Sequence, residues 1–415
     1  MKFGRKIKYL IILTSIILFC TIGCNLSTPP NGDEPIAIAG PDQTAKVGNY
    51  VALDGTASKK GNCDTLMYKW SADPSNPHQP FFLDNDPEIY IGCLKEGAYK
   101  FTLVVNNGRK DSKPDEVIFR VLPRTQVLFE DPRLEIAVRW GLRMPTQELN
   151  EQELLSVDSV LAYYASDKIT RLQGIERCGN LRFLNMAHQR IADLSPLAGM
   201  TKLTYLSLSQ NYIVTDIRPL ANLTQLEWLD LQSNQVSDIS ALSGLIQLRN
   251  LNLMTNPISD LSALRNMTEC RQLWLDYTRL ADISVIARLT KLEVLWMTHC
   301  DVEDISALAT LTKLYYLHLG NNRIRNIDAL ANCTEIERLY MDLNQVSDIR
   351  ALKYLAKLNI LDLPYNNITN IEPLVNNSGI GQGDLVSLQR NPLDSISINQ
   401  YIPALRNRGV VVFWP

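Results

Sequence analysis

Histidine is scarce in this 415-residue sequence and occurs only at His78, His188, His299 and His318. That removes most of the side chains on which general-base and metal chemistry at neutral pH depend. The sequence also lacks a phosphate-binding loop, a paired zinc spacing and a serine-nucleophile motif. No enzyme, cofactor or metal site is expected. A hydrolytic or metal site at His299, His318 and Asp276 is the alternative, but histidines on open strand positions read more simply as contact residues. Neither sign of charge is in large excess: 41 Lys+Arg stand against 44 Asp+Glu, a net −3, which argues against a nucleic-acid partner. The apolar run Tyr9–Cys20 is too short for a stable membrane span.

What is abundant is leucine at a fixed interval. Leu226–Gln247 is one copy of a unit that recurs every 22 residues between Leu181 and Gly379. Its nine copies begin at Leu181, Leu203, Leu226, Leu248, Cys270, Leu292, Leu314, Ile336 and Leu358. The copy at Leu203 carries one extra residue near Val214–Thr215. Leu229-Asp230-Leu231 alternates inward and outward, so each unit opens with a short strand. An asparagine follows where the chain must turn: Asn211, Asn234, Asn256, Asn322, Asn344, Asn366 and, in a variant last unit, Asn391. Its amide can pair backbone groups that the turn strips of partners. Gln189, Thr278 and Cys300 stand at that position in the remaining copies. An outer row, including Asp193, Asp238 and Asp304, reads as turn formers and caps rather than a calcium site. Each inward leucine is worth ~1.5–3 kcal/mol of burial only when a neighbouring unit covers it, so the array must stack.

A fixed repeat of this lettering is the leucine-rich-repeat signature, and it closely resembles the repeats of the internalin family. The resemblance implies a parallel concave sheet, short 3₁₀ turns on the outer side and a helical N-cap. Pro132–Leu142 has helical apolar spacing, and Asn150 with Glu153 forms a capping-box pattern, with Leu149 and Leu154 as a hydrophobic staple. A degenerate first repeat, Ser159–Asn180, follows. At the other end Gly383–Leu393 reads as a variant repeat, Ser397–Arg408 as a short helix and Gly409–Trp414 as a last strand, so the chain reads as complete.

The N-terminus has a different texture. Lys2, Arg5, Lys6 and Lys8 precede the apolar run, the pattern of a secretory signal peptide. It ends in Thr21-Ile22-Gly23-Cys24, which resembles a bacterial lipobox although Thr21 replaces the usual leucine. That resemblance implies lipid on Cys24 and a membrane anchor; ordinary cleavage and secretion is the alternative. From Pro35 to Pro123, short alternating strands between turn signals argue for a β-sandwich. Ala39–Gln43, Leu53-Asp54-Gly55, Tyr68-Lys69-Trp70 and Gly97–Val105 resemble the polycystic-kidney-disease (PKD) immunoglobulin-like domain, with Trp70 as its buried tryptophan. Some members of that family hold calcium on loop acids, a role the resemblance opens to Asp42, Asp54 and Asp64 here; turn formation is the plainer reading. Cys63 and Cys93 both fall in this segment, and an exported chain permits them to form a disulfide. Cys178, Cys270, Cys300 and Cys333 fall on inward repeat positions and read as core thiols.

The expected architecture is therefore multidomain. Residues 1–24 form the signal peptide and lipobox, 25–34 a tether, 35–123 a PKD-like β-sandwich and 124–180 the helical N-cap with the degenerate repeat. Residues 181–379 form the leucine-rich-repeat α/β solenoid and 380–415 the variant repeat and C-terminal cap. Outward strand positions collect aromatic residues: Phe183, Tyr205, Trp228, Trp274, Trp296, Tyr316, His318 and Tyr340, with Asp230 and Asp276 beside them and Tyr277 and His299 at the rim. Trp, Tyr and Arg dominate interface energies, so this concave face is expected to bind a protein partner, in adhesion or another envelope interaction. A glycan is the alternative, because the same rings suit sugars, and mutual packing of the rings is the structural one. The chain is read as a monomer of the bacterial cell envelope, lipid-anchored at the surface or facing the periplasm.

Overall fold

The computed structural model describes residues 34–80, 85–124, 126–143, 148–162, 168–280 and 282–415. Cys24 and the leader lie outside the described residues. Two compact units emerge. Described residues up to Gln43, with Ala52–Tyr90 and Ala98–Arg120, form one; Thr44–Val51, Ile91–Gly97 and Val121–Pro415 form the other.

The N-terminal strands form two sheets. One has four strands in the order Gln43–Lys46, Asp115–Leu122, Gly97–Asn106, Met67–Ala72; the other pairs Tyr50–Asp54 with Glu88–Gly92. Period-two alternation decides what goes inside. Tyr99, Phe101, Leu103 and Val105 all point inward and are buried, as do Val117 and Phe119. Phe119 stacks on Tyr99 and Phe101 at centroid distances of 5.0 and 5.6 Å. Trp70 is buried and donates Nε1 to Asp86 O at 3.2 Å. Asp54 accepts from Thr56 N within its loop, and Asp42 from Ile118 N of the strand Asp115–Leu122, both at 2.8 Å.

The expected Cys63–Cys93 disulfide is not formed, because Cys93 is a free thiol. The alternation explains it: Ile89, Ile91 and Cys93 are successive inward residues, each buried. Cys93 therefore packs as a small hydrophobe, its Sγ 3.9 Å from Ile91 O. Burial pushes its pKa up to about 12, so the thiolate needed for exchange is not available.

In the second unit a 12-stranded parallel sheet runs in chain order from Ser159–Leu161 to Val411–Phe413. Leu229 pairs in register with Leu206 and Leu251, and the row continues through Leu273, Leu295, Leu317, Leu339 and Leu361. These central residues are buried, and one apolar core extends from Phe129 to Val412. After each of the ten strands from Phe183–Asn185 to Leu385–Ser387 a residue turns left-handed: His188, Gln210, Ser233, Thr255, Tyr277, His299, Asn321, Leu343, Tyr365 and Arg390 have φ between 53° and 62°. For side-chain-bearing residues that costs about 1–2 kcal/mol each. In seven of the ten the cost is offset by the asparagine that follows, whose amide the turn delivers to buried carbonyls; Gln189, Thr278 and Cys300 follow in the others.

The outer side is made of 3₁₀ turns such as Ser240–Gly244 and Ser262–Asn266. The outer acids cap them as expected: Asp238 Oδ1 accepts from Ser240 N at 2.8 Å, and Asp193, Asp260, Asp282 and Asp304 repeat the bond. Among the described residues no cluster of acids, His or Cys is arranged to hold a metal ion.

Both ends of the core are covered. Pro132–Leu142 is a helix capped by Asp131, and Glu151–Leu155 is a helix with the Asn150–Glu153 capping box in place. Ser159–Leu161 then pairs with Phe183–Asn185 as the first rung. At the other end Ser397–Tyr401 and Ile402–Asn407 are helical, and Val411–Phe413 closes the sheet beside Leu385–Ser387. Cys178, Cys270, Cys300 and Cys333 are buried free thiols, as the repeat register requires.

Candidate binding face

The platform of the concave face is the asparagine ladder. Asn256 Nδ2 donates to Leu231 O at 2.9 Å and Leu253 O at 3.1 Å, and its Oδ1 accepts from Val236 N at 3.0 Å. Asn211, Asn322, Asn344, Asn366 and Asn391 repeat both halves of this pattern. Thr278 and Cys300 keep a reduced version: Thr278 Oγ1 donates to Leu275 O at 2.6 Å, and Cys300 Sγ reaches the same oxygen at 3.2 Å.

Asn234 departs from uniformity. Its Nδ2 donates to Leu208 O and Leu231 O, both at 2.9 Å, but its Oδ1 is buried without a partner. The extra residue of the preceding repeat explains this. Tyr212 turns left-handed at φ 66°, Ile213 is pushed outside and Val214 takes the inward place. The backbone N–H that would meet Asn234 is thereby displaced.

Above the ladder the aromatic residues form two runs of rings, each ring half-buried by its neighbours. Phe183 stacks on Tyr205 at 4.1 Å, Tyr205 on Trp228 at 5.7 Å, and Trp228 meets Trp274 at 6.0 Å. The second run joins Trp296 to Tyr316 and His318 at 5.5 and 5.8 Å, and Tyr340 to Tyr316 and His318 at 5.5 and 5.1 Å. Trp274 and Trp296 pair through their backbones, but their ring contacts run in opposite directions along the sheet. Phe183, Tyr205 and Trp228 are continuous with Trp274. At the rim Tyr277 stacks on His299 at 4.3 Å, and His299 Nε2 meets Asn321 Nδ2 at 2.9 Å.

Such ring pairs are worth about 0.5–1.5 kcal/mol each beyond burial, so part of this surface serves the sheet itself. Stacking also fixes the rotamers, and a pre-ordered face loses less entropy on binding.

The carboxylates beside the rings are unlike those on the outer turns. Asp230 accepts from Gln232 N at 3.1 Å, and burial pushes its pKa up. Burial likewise raises Asp362. Asp276 is 2% exposed, and its Oδ1 accepts from Thr298 N at 2.7 Å and from the Thr298 hydroxyl. His318 is pushed down by burial, against the opposing pull of Asp276, Asp342 and Asp362, so the imidazole is neutral at pH 7. Thr298 and Gly320, which shape this region, were missed in the sequence; their signal is two small residues in succession at the seventh repeat position.

The family model for leucine-rich repeats in two copies matches residues 179–222, 224–266, 291–332 and 312–354. No curated protein matches the chain. Among solved structures, an internalin (inlF) from Listeria monocytogenes is 33% identical, with 67% of this chain and 88% of that one covered and a TM-score of 0.57. An internalin C2 of the same species is 27% identical over 61% of this chain and 92% of that one, at a TM-score of 0.38. A TDR receptor shares the fold at 18% identity, over 58% of this chain and 45% of that one, with a TM-score of 0.51.

Proposed function

The chain belongs to the internalin-like leucine-rich-repeat proteins, and from that premise we propose that its concave face binds a protein partner at the cell envelope. Repeat scaffolds of this kind generally serve binding and not catalysis. The observation that carries the reading is the pair of aromatic runs, Phe183 to Trp274 and Trp296 to Tyr340, on the concave strands. Large apolar rings kept partly open to water in register are what an interface centre requires.

The leader sequence supports an anchored placement. Cys24 receives lipid, and the N-terminal strands act as a PKD-type spacer that lifts the repeats off the membrane. Adhesion or another envelope contact is the role this arrangement serves.

The test is capture of a partner from cell-surface extracts by the immobilised chain, with chemical cross-linking and mass spectrometry. Trp274→Ala and Trp296→Ala should each weaken capture by about 2 kcal/mol, roughly 30-fold. Thr290→Ala, on the exposed outer side, should leave it unchanged. Saturable binding to a glycan array with no protein retained would replace the protein partner with a polysaccharide.

A further inference from the structure

Charges on the flanks of the repeats neutralise one another. Arg271 pairs with Glu293 at 2.5 Å, Lys291 with Glu269 at 2.5 Å, Lys357 with Glu335 at 2.6 Å and Arg323 with Asp301 at 3.0 Å. The concave carboxylates Asp276, Asp342 and Asp362 take part in no ion pair among the described residues.

Two of the three converge. Asp276 reaches toward the next rung, where its Oδ1 is held by Thr298. Asp342 reaches the other way and lies over Gly320, where an added Cβ would overlap its Oδ1. Thr298 and Gly320 stand at the same position of adjacent repeats, whose strands are ~4.8 Å apart. The third, Asp362, follows Trp296, His318 and Tyr340 in the same in-register row.

Among the described residues no cation is paired with these carboxylates. His318 lies between the carboxylates and is neutral because burial disfavours its charged form. Arg338, the adjacent cation, lies 6.0 Å from the Tyr316 ring centroid. Asp276, though almost fully buried, leaves Oδ2 without a hydrogen-bond partner, and Trp296 Nε1 is in the same condition. A carboxylate oxygen out of water without a donor is costly unless a ligand supplies one. The rings of Trp296 and Tyr340 add faces that attract a cation.

We propose that the surface formed by Asp276, Asp342 and Asp362 around His318 receives a lysine or arginine side chain of the protein partner. The proposal rests on the reading of the concave face as a protein-binding surface and names the chemistry of the contact at its C-terminal aromatic run. The cation supplies the missing donor to Asp276 Oδ2, pairs with the charge of Asp342 and Asp362, and lies against the rings.

The test uses the full chain in mild detergent and four probes: pentalysine, penta-arginine, pentalysine acetylated at every Nζ, and pentaglutamate. The readout is the Trp296 indole N–H resonance, assigned with Trp296→Phe. Pentalysine and penta-arginine should shift it saturably, and the acetylated and acidic peptides should not. Asp276→Asn/Asp342→Asn should lower the affinity for pentalysine about tenfold or more, while Asp238→Asn on an outer turn leaves it unchanged. Asp342→Asn alone serves if the double variant does not fold, because it leaves the Thr298 bonds intact. Equal binding of the acetylated peptide, or unchanged affinity in the aspartate variants, would overturn the proposal. In the capture assay, loss with Trp296→Ala but not with the aspartate variants would overturn the cation site and leave the binding face standing. Loss with neither would overturn both.

Discussion

Asn256→Ala should destabilise the repeat array much more than Asn234→Ala, although the two residues occupy the same place in the repeat. Adjacent asparagines share their acceptors. Leu208 O receives Asn211 and Asn234, and Leu231 O receives Asn234 and Asn256. Removing Asn234 therefore leaves each carbonyl one donor and also removes the unpartnered Oδ1. Two net hydrogen bonds at about 0.5–1.5 kcal/mol each, less relief of about 1–3 kcal/mol, leave a net change between about −2 and +2 kcal/mol, centred near zero. Asn256 has no such redundancy on one side. The next rung holds Thr278, whose hydroxyl turns to Leu275 O, so Leu253 O loses its amide donor and Val236 N its acceptor. Two buried backbone groups stripped at about 1–3 kcal/mol each make about 2–6 kcal/mol. Urea unfolding of the purified variants, followed by far-ultraviolet circular dichroism and by tryptophan fluorescence, measures the gap, provided the two probes give one midpoint. Losses equal within about 0.5 kcal/mol would refute the shared-acceptor reasoning.

Other outcomes are as specific. Cys24→Ala should release the chain from the membrane fraction, because stable anchoring needs the several acyl chains a lipobox cysteine receives; retention there would exclude the lipid anchor. Cys93 should resist iodoacetamide in the folded protein and react once urea unfolds it, since burial pushes its thiol up to about 12; mass spectrometry that finds it disulfide-bonded would contradict the structure. His318 is pushed below its ordinary pKa of 6.5 by burial, so the unfolded chain takes up that proton first as pH falls. Its contribution is fully present above about pH 6.5 and is lost below it; His318→Asn should flatten the loss.

The repeats and both caps were legible in the sequence because one local solution is imposed again and again. An inward leucine, an asparagine two carbonyls can share and an acid that caps a 3₁₀ turn each act within a few residues of themselves. The unreadable parts depend on neighbours far along the chain. Ile213 looks like an inward residue until the insertion turns it outside and starves Asn234. Trp274 and Trp296 share a repeat position, yet Trp274 leans toward Trp228 and Trp296 toward Tyr316 and His318. Asp342 crosses to its neighbour only because Gly320 has no side chain. Cys93 was paired on compartment and segment alone, whereas the inward row of Ile89 and Ile91 already assigned it to the interior.

Photo-cross-linking from defined positions tests the central claim most directly. A benzoylphenylalanine at position 250, on the concave strand spanned by the Trp228–Trp274 contact of the first aromatic run, should cross-link to the captured partner. The same residue at position 290, on the exposed outer side, should not. Cross-links from 290 and none from 250 would place the partner on the convex surface and contradict the account.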